Sequence, residues 1–234
     1  MMVKLEKIVK PGTDYFGERE CYERYIDPVS KHQVFYFPQA EPKDLPISII
    51  IPQVGKKKGV TVTARDMDRY HADLRKIVED HNQDFQYLEV GVGLGEPITR
   101  LGGLRNKPIA VEPLNYRLTK DIIGTMRYKI SQIHVSLIKE LERRCQFMLS
   151  SEVRLFNTTL GAAVGRKEFH GIADLVVDNL GPVHWNETEG LFENPYRLQK
   201  RLGNIAAAEV NFLKEEGRLY YDRFSDPYIK PQQK

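Results

Sequence analysis

The stretch YLEVGVGLGEPITRLGGLRNKPIAVEP, from Tyr87 to Pro113, sets the architecture of this chain. Residues 87–90 form a short segment that is apolar on average, which is typical of a strand buried on both faces of a parallel sheet. Every second residue after this segment is a glycine, and glycine permits the φ values of a tight strand-to-helix turn. A second apolar run, 108–112, ends in an acid. The stretch predicts a compact βαβ unit whose turn contains Gly91, Gly93 and Gly95.

Acidic residues flank this turn. Glu96 stands where a dinucleotide fingerprint G-x-G-x-x-G, counted from Gly91, has its third glycine. A carboxylate there weakens pyrophosphate recognition at a helix N-terminus. Glu89 adds a second negative group, and Glu112 at the end of the next strand can accept hydrogen bonds from both hydroxyls of a ribose. The pattern favours a cationic ligand over a phosphate.

The sequence E-x-G-x-G-x-G, followed by a strand that ends in Glu, closely resembles motifs I and II of class I S-adenosylmethionine-dependent methyltransferases. The resemblance implies an α/β fold, a Rossmann-like three-layer sandwich with a mainly parallel sheet in the order 3-2-1-4-5. It also implies S-adenosyl-L-methionine as the cofactor and methyl transfer as the activity. The cofactor-binding residues that it implies are Glu89, Gly91, Gly93, Gly95, Glu112, Pro113, Asn157, Thr158 and Asp178.

The fourth predicted strand, 173–178, leads into a loop that carries the only tryptophan. In the family, the end of this strand and the loop after it face the methyl group and its acceptor. Asp178, Asn179 and His184 are therefore the catalytic candidates, although a single His in a loop is more often merely exposed. Base N-methyltransferases carry N-P-P-Y or N-L-P-Y here, whereas this loop begins N-L-G-P. The acceptor stays open: a small molecule, or an RNA or protein side chain.

The sheet is completed by a third predicted strand at 153–157 and a fifth at 218–224. Only SDPYIKPQQK follows the fifth strand, and this segment with its two prolines is too short for the two further strands that the family usually has. We therefore hypothesise that N-terminal strands cover the sheet edge beside the fifth strand, or that they pair with a partner chain.

The predicted domains are an N-terminal extension with short strands, 1–62, and the methyltransferase domain, 63–234. A capping-box pattern at Thr63 predicts a helix as far as about His81. Apolar residues spaced by threes and fours predict one unusually long helix from about Leu118 to Leu141. Another helix is predicted from Pro195 to Glu216-Gly217.

Composition sets the remaining limits. The two cysteines are far apart and offer neither a disulfide framework nor a metal-ligand spacing, which favours a reduced, cytoplasmic setting. No apolar run approaches the roughly 18 residues of a membrane span. The formal net charge of +3 neither requires nor excludes a nucleic acid partner. Basic residues outnumber acids within 117–144, which indicates a solvated helix face or, as the alternative, a basic ridge for RNA.

Two rival functions remain. An NAD-type oxidoreductase would use the same βαβ unit, but Glu96 disfavours it. A non-catalytic relative would use the turn, or only the basic helix face, to bind a nucleoside or RNA. The sequence does not fix the oligomeric state.

Overall fold

The computed structural model describes residues 3–8, 22–41, 46–52, 60–62, 76, 84–101, 104–178, 195–221 and 228–229. The chain divides into two compact units. The first comprises Met1–Ala64 and Asn115–Gln146, and the second comprises Arg65–Leu114 and Phe147–Lys234. The domain limits 1–62 and 63–234 stay a prediction. The sequence did not indicate that the helical stretch after Leu114 groups with the N-terminal strands.

The first unit contains a five-stranded antiparallel sheet whose strands pair in chain order. Cross-strand neighbours Tyr25, Val34 and Ile49 share one face and are all buried, which is why these alternating segments form a sheet with a packed side. An N-terminal extension built from β-strands is therefore confirmed. The strands are β1 (Glu6–Ile8), β2 (Glu23–Ile26), β3 (Gln33–Tyr36), β4 (Ile47–Ile51) and β5 (Val60–Val62).

The same unit contains helix α1 (Tyr116–Met126) and most of helix α2 (Val135–Met148). The prediction of one continuous helix through this region is wrong. Ser131 is extended, with φ −62° and ψ 147°, and its N–H donates to the hydroxyl of Tyr36 at 2.9 Å instead of to a helical carbonyl. The buried side chain of His134 follows at once, in a short 3₁₀ turn. Contacts with β3 therefore interrupt the helix.

The second unit contains a six-stranded sheet in the order β11-β10-β9-β6-β7-β8. All neighbouring strands are parallel except β10 and β11. Numbering only the five predicted strands, this is the order 3-2-1-4-5, and a Rossmann-like α/β fold is confirmed. The strands are β6 (Tyr87–Val90), β7 (Ile109–Val111), β8 (Arg154–Phe156), β9 (Ala173–Asp178), β10 (Leu213–Tyr221) and β11 (Tyr228–Ile229).

The hydrophobic core of the second unit packs against one face of this sheet. Helix α3 (Leu160–Val164) is short, and helix α4 (Pro195–Val210) precedes β10. Side chains from these segments pack on the sheet and fix the strand ends where ligands bind in such folds. The buried core residues are Leu88, Val90, Ile109, Val111, Ala163, Phe169, Ala173, Val176, Phe212, Leu213 and Leu219.

The hypothesis that N-terminal strands cover the free sheet edge is wrong. Strand β11 occupies that edge, with Leu219 opposite Tyr228 and Arg218 opposite Ile229. Two residues suffice for this short antiparallel pairing, so the prolines on either side do not prevent it. The N-terminal strands that are described hydrogen-bond among themselves in a separate sheet.

The boundary between α4 and β10 also differs from the prediction. The helix ends at Val210, well before Glu216-Gly217. Phe212 and Leu213 are buried in the core, and the carbonyl of Phe212 accepts hydrogen bonds from Ile172 and Ala173. The strand therefore begins before Gly217. Glu216-Gly217 forms an irregularity inside the strand, where Glu216 has a φ of +62° and the register with β9 shifts.

The predicted helix 63–81 lies outside the described residues except at Lys76. Among the helices that are described, none combines the length and apolar character needed to cross a membrane.

Candidate functional site

The candidate site lies at the carboxyl ends of β6, β7 and β9 in the second unit. β7 pairs with one side of β6 and β9 with the other, so the direction in which the chain adds strands reverses at β6. Ligands of open α/β folds bind at such a switch point. The backbone N–H of Gly91 donates to the carbonyl of Val111 at 3.0 Å, which holds the start of the glycine turn against the end of β7.

The glycine turn has the backbone that the sequence predicts. Gly91 and Gly93 have φ values of +66° and +53°, a region that favours glycine. Gly95 closes the turn through a 2.9 Å hydrogen bond from its N–H to the carbonyl of Val92. The segment that follows is a four-residue 3₁₀ helix, Pro97–Arg100.

Glu112 lies directly beneath this turn. Its Oε2 accepts a hydrogen bond from the backbone N–H of Gly93 at 2.8 Å, and its Oε1 accepts one from Leu114 at 2.9 Å. The side chain is buried, with 7% of the residue exposed. Burial raises the pKa of Glu112, and the two backbone N–H groups oppose that effect by stabilising the charged form. The turn and the acid therefore form one hydrogen-bonded structure.

Glu89 is the most deeply buried acid of the turn sequence, with 1% of the residue exposed. The hydroxyl of Tyr87, two residues earlier on the same face of β6, donates to its Oε2 at 2.8 Å. Burial is the main cause that raises the pKa of Glu89, to about 8, and the negative charges of Glu112 and Asp178 contribute to the rise against hydrogen bonds from Tyr87 and the backbone of Ile98. A carboxyl group with this pKa is mostly protonated at neutral pH.

Asp178 completes a group of three buried carboxyl groups, each from a different strand. It is the last residue of β9 and lies opposite Val90 in β6 and Tyr221 in β10. Only 1% of the residue is exposed. We call Glu89, Glu112 and Asp178 the acidic cluster. Such a concentration of like charge favours a cation, or a ligand that donates several hydrogen bonds.

Asn157 and Thr158 lie at the end of β8, next to β7. The Nδ2 of Asn157 donates to the backbone carbonyls of Glu112 at 3.1 Å and Leu114 at 2.8 Å. The backbone N–H of Thr158 donates to the carbonyl of Phe156 at 2.8 Å. Pro113 is exposed between the two carbonyls that Asn157 holds. The sequence placed these residues at the site, but it gave no sign that Asn157 binds the main chain.

Two of the three catalytic candidates, Asn179 and His184, lie outside the described residues, as does the rest of the loop 179–194. Their predicted roles, and those of the cofactor-binding residues, stay predictions. Across the residues that are described, no three His, Cys, Asp or Glu side chains are grouped so as to hold a metal ion.

Acidic side chains offset the positive charge of the basic helix face of the first unit at several positions. Arg127 pairs with Glu142 at 3.2 Å. Arg143 and Arg144 both pair with Glu140, at 2.7 and 3.0 Å. These pairs lower the charge that the face offers to a polyanion, and Arg144 is itself buried, with 4% of the residue exposed.

No protein family model and no curated protein sequence matches the chain. Among solved structures, the YcgJ protein from Bacillus subtilis is similar to it, with 13% sequence identity and a TM-score of 0.34. The match covers 63% of this chain and 48% of YcgJ, so it spans less than half of that protein.

Proposed function

We propose that this chain is an S-adenosyl-L-methionine-dependent methyltransferase whose methyl acceptor is unidentified. One observation carries the proposal: the backbone N–H of Gly93 donates a hydrogen bond to the carboxylate of Glu112. A bound pyrophosphate would need backbone N–H donors of this kind for itself. The glycine turn is thereby lined by carboxyl groups. A ligand that suits it has hydroxyls and positive charge and lacks phosphate.

The donors and acceptors of the site fit such a ligand. Each carboxylate oxygen has two lone-pair directions, and each oxygen of Glu112 receives one backbone N–H. One direction per oxygen remains for the two hydroxyls of a ribose. Asp178 adds negative charge that suits the amino and sulfonium groups of the cofactor, and Glu89, largely protonated at neutral pH, adds a carboxyl group that can form hydrogen bonds.

S-adenosyl-L-methionine supplies a methyl carbon that its sulfonium has already activated for attack by a nucleophile. The protein therefore has to align and desolvate the acceptor more than it has to provide acid or base catalysis. In this proposal Glu112 orients the ribose, while Gly91 and Gly93 let the backbone approach the ligand closely. Asp178, Asn179 and His184 orient the acceptor or remove its proton.

The same site argues against an NAD-dependent oxidoreductase. A dinucleotide site places pyrophosphate at the N-terminus of a helix that follows the glycines. Here that helix is a four-residue 3₁₀ segment, and Glu96 precedes it with its Oε1 held by Arg100 at 2.8 Å. So short a segment offers few aligned peptide dipoles to an anion.

Ligand titration by calorimetry tests the proposal with a matched pair of glycine variants. Gly93→Ala forces a side chain into the left-handed region, whereas a Cβ added to Gly203 in α4 meets nothing within 4 Å. We expect S-adenosylmethionine and S-adenosylhomocysteine to bind the wild type. We expect Gly93→Ala to weaken binding roughly tenfold. The free turn relaxes out of the left-handed region, and a ligand that needs the native turn must restore it at a cost of about 1 to 2 kcal/mol. Gly203→Ala should bind as the wild type does.

Binding of NADH in place of both nucleosides would end the methyltransferase proposal. Transfer of a labelled methyl group is then measured against small-molecule, RNA and protein pools. Tight nucleoside binding with no transfer to any pool would assign the chain to the non-catalytic alternative.

A further inference from the structure

The turn that carries Glu112 is held from the neighbouring strand. We call residues 112–114 the acid turn. Within it, Leu114 donates its N–H to the side chain of Glu112, and Pro113 has no N–H to donate. From outside, the Nδ2 of Asn157 bridges the carbonyls of Glu112 and Leu114, the first and last residues of the turn.

The chemistry of these contacts fixes the orientation of the Asn157 amide. Both partners are carbonyl oxygens, which only accept, so the NH₂ end of the amide must face them. An amide nitrogen carries two hydrogens, and the two carbonyls use both. Asn157 therefore has no hydrogen left to donate to a purine ring nitrogen, and its Oδ1 can only accept.

We propose that Asn157 is a positioning residue, which holds the acid turn so that the carboxylate of Glu112 stays aligned for the hydroxyls of a bound ribose. This role replaces the direct contact with the cofactor that the resemblance implies for Asn157, and it rests on the function proposed above. Glu112 is fixed at both ends: Gly93 and Leu114 hold its carboxylate, and Asn157 holds its main-chain carbonyl.

The test compares Asn157→Ala with Asn157→Asp, which has nearly the same size and lacks both donors. Asn106→Ala is the matched control, because Asn106 Nδ2 likewise donates to a backbone carbonyl, that of Asp84 at 2.7 Å. This contact lies at the amino ends of β6 and β7, whereas the site lies at their carboxyl ends. The probes are S-adenosylhomocysteine and its 2′-deoxyribose analogue, titrated by calorimetry. The added charge of Asn157→Asp acts on both probes equally, so the ratio of their affinities reports only ribose recognition.

We expect both Asn157 variants to weaken S-adenosylhomocysteine roughly tenfold and to change the 2′-deoxy analogue by less than about twofold. Asn106→Ala should leave the ratio unchanged. Combining Asn157→Ala with Glu112→Gln should cost no more than Glu112→Gln alone, because both changes remove the same ribose contact. An equal loss for both probes, or no loss for either, would overturn the positioning role while leaving the proposed function intact.

Hydrogen exchange without ligand separates this inference from the proposed function. The amides of Gly93 and Leu114 should exchange at least about tenfold faster in Asn157→Ala than in Asn106→Ala, because a loosened acid turn releases both hydrogen bonds to Glu112. If the wild type binds neither probe, the proposed function fails. The exchange rates still decide whether Asn157 holds the acid turn: unchanged rates overturn that part of the inference, and faster rates support it without a role in ribose binding.

Discussion

The two units of the chain each bury a cluster of polar side chains, and the clusters differ in charge. In the first unit, His134 is fully buried and Tyr36 is 4% exposed. In the second unit, the acidic cluster is equally shielded from water. Burial of polar groups alone therefore does not distinguish a structural cluster from a candidate site, and the distinction has to come from how each cluster is satisfied.

The cluster around His134 is a closed series of hydrogen bonds. The N–H of Ser131 donates to the Tyr36 hydroxyl at 2.9 Å, and the Nε2 of His134 lies 2.8 Å from the carbonyl of Ala40. Because a carbonyl only accepts, Nε2 carries a hydrogen. In the neutral ring Nδ1 then accepts from the Tyr36 hydroxyl, 3.3 Å away. Each donor has an acceptor, so this cluster stabilises the fold.

The acidic cluster instead places like charges together. Ionisation of Glu89 is opposed by burial and by the charges of Glu112 and Asp178, so its charged form costs stability. Groups with strongly shifted pKa values concentrate at functional sites, where a ligand can offset the cost. The contrast teaches that like charge at the switch point of the sheet, rather than burial, marks the candidate site.

The largest expected effect is on the pH dependence of stability, tested with Glu89→Gln. The pKa of Glu89 is about 8 in the folded chain, against an ordinary value of 4.5 for a glutamate side chain. The folded state therefore holds the proton that the unfolded state releases, and this contribution is complete below 4.5 and lost as pH rises through about 8. One pKa unit corresponds to about 1.4 kcal/mol, so the loss over the whole range is on the order of 5 kcal/mol.

Glu89→Gln should abolish this loss. Urea unfolding at about pH 5 and about pH 9 measures it: the free energy of unfolding should fall with pH in the wild type and fall much less in the variant. Glu152→Gln, on the surface, is the matched control and should follow the wild type. Parallel pH profiles for the wild type and Glu89→Gln would remove the electrostatic contrast between the two clusters.

The next largest effect is expected from the first unit. His134→Ala should lower the free energy of unfolding by about 3 kcal/mol, because it opens a cavity and leaves the Ala40 carbonyl without its donor. His170→Ala is the matched control, since that exposed ring makes one hydrogen bond, 2.8 Å from the carbonyl of Val164. It should cost less than about 1 kcal/mol. Equal costs for the two variants would contradict a structural role for the buried ring.

Local sequence patterns were enough to predict the parallel sheet and the turn. The glycines and the flanking acids are close in sequence, and each predicted strand is a short apolar run with clear limits. The helix break was not predictable in this way, because Ser131 depends on Tyr36, which is 95 residues earlier. The start of β10 was missed because apolar residues such as Phe212 and Leu213 fit a helical period as well as a strand.

The candidate site, like the fold, was predicted only where local sequence determines it. The sequence identified the acids that converge and the glycines with positive φ, because motif spacing fixes them locally. It did not identify the partners of Asn157, since these depend on the pairing of β8 with β7. The resemblance suggested a ligand contact for Asn157, whereas both of its amide hydrogens bind the main chain. Register between distant strands, rather than residue type, decided that role.

The smallest effects should come from removing one hydroxyl from each cluster, with Tyr36→Phe and Tyr87→Phe. Tyr36→Phe leaves the Ser131 N–H without its acceptor and should lower the free energy of unfolding by about 2 kcal/mol, nearly constant between about pH 7 and about pH 9.

Tyr87→Phe removes the donor to Glu89 and should lower the free energy of unfolding by about 1 kcal/mol near pH 7. Its cost should grow as pH rises through about 8, because the hydrogen bond from Tyr87 favours the ionised carboxylate. Urea unfolding across this range measures both variants, and equal pH dependence would mean that the carboxyl group of Glu89 does not ionise within it.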